Sequence, residues 1–156
     1  MGRYIFNLLN REDRMKFAVV FPGQGSQKIG MFEDSDLPTT VRATFSEASE
    51  IAGKDLLRLI QEGPLDEINN TINTQMIMLA TGVGFYRYWK EEGGPDPHVI
   101  AGHSLGEYAA LVSGGALLYT DALKLVFKRA NLMQSAVPQG VGAIAAGGVF
   151  GGPEGA

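Results

Sequence analysis

The sequence GHSLG at residues 102–106 constrains the fold of this chain more than any other feature. It fits the pattern G-x-S-x-G, in which a serine stands on a sharp turn between a strand and a helix. A short apolar run at residues 99–101 precedes it, and EYAALV at residues 107–112 favours a helix. A side chain at Gly102 or Gly106 would crowd a turn that must lift Ser104 above the sheet. We therefore predict that Ser104 lies on a nucleophile elbow.

The same pentapeptide can arise by chance, because the chain contains 21 glycines. Its strand-and-helix surroundings favour the catalytic interpretation. A helix that starts beside Ser104 offers free N–H groups, beginning with that of Leu105, to an oxyanion formed there.

Length and composition favour one domain or a piece of a larger one, since 156 residues with 45% hydrophobic and 19% charged content can form a core. A net charge of −4 without a basic cluster argues against nucleic acid or a membrane surface as a partner. The absence of cysteine excludes disulfides, cysteine nucleophiles and cysteine-based zinc sites. No apolar run approaches the roughly 18 residues that span a bilayer. We expect a cytoplasmic protein.

The apolar run FAVVF at residues 17–21 predicts a buried strand of a parallel sheet. The loop PGQGSQ at residues 22–27 follows it, at the strand end where α/β folds bind ligands. Gln24 stands between two glycines, so its amide and side chain are free to approach a ligand, although a plain turn is the alternative. The loop lacks the G-x-x-x-x-G-K-[ST] pattern, which argues against nucleotide binding.

Apolar spacing and end signals predict further helices at residues 39–52, 56–60, 74–92 and 121–136. Gly53 ends the first of them, Asp55 caps the second and Thr120 caps the last. Arg129 borders the apolar stripe of the last helix, where an arginine often only covers apolar surface with its stem. Residues 1–14 are expected to be a non-functional extension, 15–146 the domain with a strand at 141–146, and 147–156 a disordered glycine-rich tail.

Ser104 has no evident base in the sequence. His103 is its direct neighbour, and neighbours on an extended backbone point to opposite sides. His98 lies about 20 Å away along the predicted strand. A remote carboxylate, a base supplied in trans and an incomplete enzyme all remain open, and we favour the last.

Three motifs together resemble the malonyl-CoA:acyl carrier protein transacylase family in order and spacing. They are FPGQGSQ at 21–27, GHSLGEY at 102–108 and KRANLMQ at 128–134. The resemblance covers about residues 15–146 and implies an α/β-hydrolase-like parallel sheet flanked by helices. The chain would be truncated at the start of the small ferredoxin-like subdomain, whose first strand would be residues 141–146.

The resemblance implies that Ser104 takes malonyl from coenzyme A as an ester and passes it to the phosphopantetheine thiol of acyl carrier protein, in fatty acid biosynthesis. The main-chain N–H groups of Gln24 and Leu105 would form the oxyanion hole. Arg129 would pair with the malonyl carboxylate, with Gln24 also lining the substrate site. No metal and no bound cofactor are implied, and the coenzyme A thioester is the substrate. The family's catalytic histidine comes from a later segment, and Met76 stands where the family often has proline.

Three alternatives stay open. A serine esterase shares the pentapeptide but gives no reason for the Gln24 loop or for Arg129. A non-catalytic remnant would bind carrier protein or coenzyme A without chemistry. A chain that does not fold stably would expose sheet edges and apolar surface. The sequence does not distinguish malonyl from methylmalonyl as the preferred group.

Overall fold

A computed structural model describes residues 16–32 and 36–136 of this chain. The elements in chain order are β1 (Ala18–Phe21), α1 (Thr39–Ala52), α2 (Leu56–Glu62), α3 (Leu65–Ile68), α4 (Thr71–Glu91), β2 (Val99–Gly102), α5 (Gly106–Ser113) and α6 (Tyr119–Ala136). The predicted α/β class is confirmed. The extension at 1–14, the strand at 141–146 and the tail at 147–156 lie outside the described residues.

The two strands of the described chain form a parallel sheet in which Ala18 lies opposite Val99 and Phe21 lies opposite Gly102. The ladder continues one residue further, because the N–H of His103 donates to the carbonyl of Phe21 at 3.1 Å. Both strands therefore end at the same edge of the sheet. The loop at 22–27 and the turn that carries Ser104 leave this edge side by side.

Most helix boundaries follow the predicted end signals. Gly53 ends α1 in the left-handed conformation, with φ of 66°, and Asp55 caps α2 by accepting from the N–H of Arg58. α2 runs on to Glu62, two residues beyond the predicted end. α4 starts at Thr71 rather than at residue 74, because the side chain of Asn70 accepts from the N–H of Ile72.

The prediction that Thr120 caps the last helix is wrong. α6 begins at Tyr119, so Thr120 lies inside its first turn. The carbonyl of Leu118 accepts from the N–H groups of Asp121 and Ala122 and starts the helix earlier. The hydroxyl of buried Tyr119 also donates to the carbonyl of Thr44 at 3.0 Å. Packing against α1 thus fixes a start that local residue preferences do not reveal.

The core lies around α4, which packs against α1, α5 and α6. The methionine-rich start of α4 belongs to this core, as predicted, since Met76 and Met78 are buried. Among the described residues no helix combines the length and the apolar character needed to cross a membrane. The largest buried side chains include Phe45, Leu56, Ile60, Ile68, Met76, Ile77, Leu79, Leu105 and Leu123.

Candidate active site

Ser104 occupies the turn between β2 and α5, and its backbone is in the left-handed region with φ of 53°. This conformation is unfavourable for a residue with a side chain, at a cost of about 1–3 kcal/mol, and such residues cluster at functional sites. The serine is exposed at the carboxyl edge of the sheet. The predicted strand, sharp turn and helix are therefore all present around it.

The two glycines of the pentapeptide are required by close backbone approaches. A Cβ on Gly102 would overlap the carbonyl of Gly106, and a Cβ on Gly106 would overlap the carbonyl of Phe21. The second approach brings the start of α5 directly against the end of β1. The predicted role of these glycines in forming a tight turn is confirmed, and Gly106 additionally joins the turn to the neighbouring strand.

Arg129 reaches from α6 to the candidate nucleophile. Its Nη2 donates to Ser104 Oγ at 3.1 Å, and its Nη1 donates to Gln75 Oε1 at 2.6 Å. Both partners are uncharged, and no carboxylate in the described part of the chain forms a salt bridge with this guanidinium. Arg129 is therefore not simply a surface residue that covers apolar area, because its charged end is directed at Ser104.

Gln75 is a site residue that the sequence did not reveal. It lies in the second turn of α4 and is fully buried. Its Oε1 accepts from Arg129, while its Nε2 contacts Met133 Sδ at 3.3 Å and Gln24 Oε1 at 3.5 Å. A polar residue directly before the apolar run at 76–80 was the available signal. Its partners come from distant segments, so their identity could not be predicted.

The remaining predicted residues lie close to Gln75 and Arg129. Gln24 joins the site through Gln75, and the N–H of Gly25 donates to Gln27 Oε1 at 2.8 Å, which closes the loop after β1. Leu105 is buried and directly precedes α5. The structure thus brings Gln24, Leu105, Ser104 and Arg129 to one edge of the sheet. The oxyanion roles of Gln24 and Leu105 stay predictions.

Neither histidine is placed to act as a base. The ring of His103 lies against Gly23, where a Cβ would come within 3.1 Å of Nδ1. The backbone N–H of His98 donates to the carbonyl of Phe17 at 2.9 Å, which places His98 directly before β2, at the end of the strand that is away from Ser104. No hydrogen bond joins either histidine to Ser104 within residues 16–32 and 36–136. The same residues contain no group of three or more histidine and acidic side chains that could hold a metal ion.

A left-handed serine between a parallel strand and a helix is the nucleophile-elbow arrangement of α/β proteins, and here the serine also contacts an arginine that has no described carboxylate partner. The chain belongs to the acyl transferase domain family, because the model for "Acyl transferase domain" matches residues 18–148. The family resemblance derived from the three motifs is thereby confirmed.

Curated relatives are similar to this chain over most of its length. The chain is 50% identical over 133 residues to the malonyl CoA-acyl carrier protein transacylase of Escherichia coli strain K12, which covers 84% of this chain and 43% of that protein. It is 52% identical over 132 residues to the protein of the same name from Haemophilus influenzae, covering 83% and 42%. The chain thus spans less than half the length of these relatives.

Solved structures show the same similarity in three dimensions. A malonyl-transacylase in complex with a type II PKS acyl-carrier protein superposes with a TM-score of 0.76 at 49% identity, covering 81% of this chain and 41% of that one. An acyl carrier protein S-malonyltransferase from Vibrio cholerae gives a TM-score of 0.75 at 49% identity, covering 81% and 42%.

Proposed function

We propose that this chain carries the nucleophile and the carboxylate receptor of a malonyl-CoA:acyl carrier protein transacylase acting in cytoplasmic fatty acid biosynthesis. One observation carries the proposal: the guanidinium of Arg129 lies 3.1 Å from Ser104 Oγ and has no carboxylate partner among the described residues. A malonyl group on Ser104 brings a free carboxylate to this guanidinium. The planar fork binds both carboxylate oxygens, whereas an acetyl group leaves the charge unpaired.

The reaction proceeds in two half-reactions. Ser104 Oγ attacks the thioester carbonyl of malonyl-CoA, the Oγ–C bond forms and the C–S bond breaks. The serine proton passes through a base to the coenzyme A thiolate. The phosphopantetheine thiol of acyl carrier protein then attacks the ester, and Ser104 regains its proton. The main-chain N–H groups of Gln24 and Leu105 stabilise the oxyanion in both half-reactions.

The base for these proton transfers comes from outside the described residues. Neither His98 nor His103 is hydrogen-bonded to Ser104 in the described chain. Removing the histidine base from a serine enzyme costs several orders of magnitude in turnover. Both histidines of the chain lie among the described residues, so we expect this chain by itself to be a slow catalyst. Its sheet is part of an α/β-hydrolase-like sheet, a proposal supported by the parallel register and by the elbow after β2.

A transfer assay with malonyl-CoA and phosphopantetheinylated acyl carrier protein tests the proposal. We expect malonyl-carrier protein to form at a rate about a thousandfold or more below that of the E. coli transacylase assayed alongside. The Ser104→Ala variant should form none. Turnover equal to that of the E. coli enzyme would contradict the expectation that this chain by itself supplies no base to Ser104.

Two other results would replace the proposed function. Hydrolysis of small neutral esters, unchanged in Arg129→Ala, would identify a serine esterase, because such substrates have no use for the guanidinium. Saturable binding of malonyl-CoA or carrier protein without acylation of Ser104 would identify a binding protein without chemistry.

A further inference from the structure

The side chain of Gln27 closes the loop that follows β1 and ties it to another part of the fold. Its Oε1 accepts from the N–H of Gly25 at 2.8 Å, and its Nε2 donates to Asn69 Oδ1 at 3.1 Å, 42 residues further along the chain. Gly25 has φ of 109°, so the turn that brings its N–H toward Gln27 depends on a glycine. One amide therefore fixes both the shape of this loop and its position.

Asn69 belongs to the corner between α3 and α4, and the main chain of this corner is held in place. The side chain of Asn73 donates to the carbonyl of Glu67 at 2.8 Å and so joins the two helices. Ile68, which directly precedes Asn69, is fully buried. The corner thus provides Gln27 with a fixed partner, although the side chain of Asn69 lies at the surface.

The main chain at Gln24 is held on both sides. On one side Gly23 packs against His103, because a Cβ on this glycine would come within 3.1 Å of the carbonyl oxygen of His103. On the other side, the bond from the Gly25 N–H to Gln27 orients the peptide group that joins Gln24 to Gly25. Hydrogen-bond donors stabilise a developing oxyanion best when they are fixed before the reaction. The contacts of Gln27 therefore bear on how well the Gln24 N–H can serve as such a donor.

We propose that Gln27 is a positioning residue whose two hydrogen bonds direct the main-chain N–H of Gln24 at an oxyanion formed beside Ser104. This inference rests on the proposed function, because it requires acyl transfer to Ser104. Gln27 acts on the reaction through the loop, so its loss should slow the transfer of every acyl group by one factor. Its effect thereby differs from that of Arg129, which distinguishes malonyl from acetyl.

Gln27→Ala tests the proposal through the kinetics of Ser104 acylation, followed by intact mass. Removing an oxyanion donor slows catalysis by about 10²–10³-fold, and misplacing one costs less, so we expect the maximal rate to fall about tenfold. The half-saturating concentration of malonyl-CoA should not change, because the oxyanion forms only during the reaction. Rates with malonyl-CoA and acetyl-CoA should fall by the same factor. An unchanged maximal rate, or a loss confined to one acyl group, would overturn the proposal.

Variants of Asn69 test the link between the loop and the corner. Asn69→Asp keeps an acceptor for Gln27 Nε2 and should retain the parent rate, whereas Asn69→Ala should slow acylation. Gln27→Ala combined with Asn69→Ala should be no slower than Gln27→Ala, because both changes break one link. Losses that multiply in this double variant would overturn the link.

A pair of carboxylates tests the same link by repulsion. Gln27→Glu alone keeps an acceptor for the Gly25 N–H, and the amide of Asn69 can turn to donate to it. Combined with Asn69→Asp, it places two negative charges side by side at about pH 8, which should separate the loop from the corner. We expect the double variant to be acylated about tenfold more slowly than either single variant. Equal rates for all three would overturn the proposal.

Gln61 provides the matched control. Its Nε2 donates to the carbonyl of Phe32 at 3.1 Å, so it also ties the segment after β1 to a helix, but eight residues beyond Gln24. Gln61→Ala should lower the free energy of unfolding and leave the acylation rate unchanged. If Gln61→Ala slowed acylation as much as Gln27→Ala does, general loosening of the segment would explain both, and the positioning role would be overturned.

Amide hydrogen exchange separates this inference from the proposed function. The N–H of Gly25 should exchange about tenfold faster in Gln27→Ala than in the parent chain, whether or not Ser104 is acylated. Equal exchange rates would overturn the loop contact. A parent chain that takes no malonyl, although exchange at Gly25 depends on Gln27, would overturn the proposed function and retain that contact. An acylated parent whose rate does not depend on Gln27 would overturn this inference alone.

Discussion

Arg129 Nη2 donates a hydrogen bond of 3.1 Å to Ser104 Oγ, so the middle of α6 contacts the turn after β2. The same guanidinium is anchored on its other side by Gln75 Oε1 at 2.6 Å. The candidate nucleophile and the candidate carboxylate receptor are thus positioned by three separate elements, α4, α6 and the turn.

Replacing Arg129 by alanine should slow malonylation of Ser104 by about 10–100-fold, because a hydrogen-bonded charge contributes about 1.5–3 kcal/mol. Acetylation should not slow, since an acetyl group has no carboxylate. Arg129→Lys keeps the charge but loses the planar fork, so its malonylation rate should fall between those of the parent chain and Arg129→Ala. Initial rates of adduct formation from malonyl-CoA and acetyl-CoA, read by intact mass, check this. Equal losses for both acyl groups would contradict the carboxylate role.

Gln75 is expected to be a positioning residue that acts through Arg129. Gln75→Leu removes the acceptor of Arg129 Nη1 and should reduce the preference for malonyl over acetyl by about fivefold, from the loss of roughly 1 kcal/mol. Gln75→Glu should reduce it further, because the new carboxylate pairs with the guanidinium and competes with the malonyl carboxylate. The ratio of the two acylation rates is the readout.

The control for Gln75 is its neighbour Thr74. Thr74 is fully buried, and its hydroxyl donates to the carbonyl of Ile68, remote from Arg129. Thr74→Val should lower the free energy of unfolding without changing the malonyl-to-acetyl ratio. If both variants lowered stability alike and left the ratio unchanged, Gln75 would have a structural role only.

Gly106→Ala should destabilise the fold by about 2 kcal/mol or more, because the added methyl group forces the start of α5 away from the Phe21 carbonyl. Gly114 provides a matched control at the other end of α5. Its φ of −82° suits alanine, and a Cβ there would lie 3.2 Å from the carbonyl of Ala110. Gly114→Ala should cost less than about 1 kcal/mol. Urea unfolding measures the loss of stability in each variant. Similar losses in the two variants would contradict the prediction.

We expect the protein to lose stability at alkaline pH because of buried Tyr119. Burial raises the pKa of its phenol well above 10.0, the negative charge of Glu47 acts in the same direction and Arg87 opposes them. The phenol of the unfolded chain ionises above a pH of about 10, whereas the folded state keeps its proton. The folded state then binds more protons, so the free energy of unfolding should fall by about 1.4 kcal/mol per pH unit above that point.

Tyr119→Phe isolates this contribution. At neutral pH the variant should be less stable by about 1 kcal/mol, because the hydrogen bond from the phenol to the carbonyl of Thr44 is lost. Above pH 10 the difference between the two proteins should shrink, since only the tyrosine form carries the ionisable group. Urea unfolding between pH 7 and 11 measures it, and a constant difference across this range would contradict the raised pKa.

Where a helix begins or ends because of the residues at that boundary, local signals in the sequence predicted the boundary. Gly53 ends α1 in a left-handed conformation and Asp55 caps α2, as expected from their types. Thr120 was assigned the wrong role because the start of α6 is decided by the buried contact between Tyr119 and Thr44, 75 residues apart. Such a contact is a property of the assembled fold and leaves no local pattern.

The candidate site likewise contains residues that the sequence indicated and one that it did not. The GHSLG pentapeptide indicated Ser104 and its glycines, because the turn geometry is encoded within five residues. The family resemblance indicated Gln24, Leu105 and Arg129. Gln75 was not identified, since it is one buried polar residue in an apolar helix. Its role follows from two contacts with α6 that only the packing of α4 against α6 creates.

The most direct test of the account is the intact mass of the purified chain after incubation with malonyl-CoA, with Ser104→Ala as control. We expect one malonyl adduct per chain that accumulates slowly, and no adduct on Ser104→Ala. Such a result would show that the elbow and Arg129 form a working acyl-accepting site. No adduct on a cooperatively folded sample, or an adduct that persists in Ser104→Ala, would contradict the assignment of Ser104 as the nucleophile.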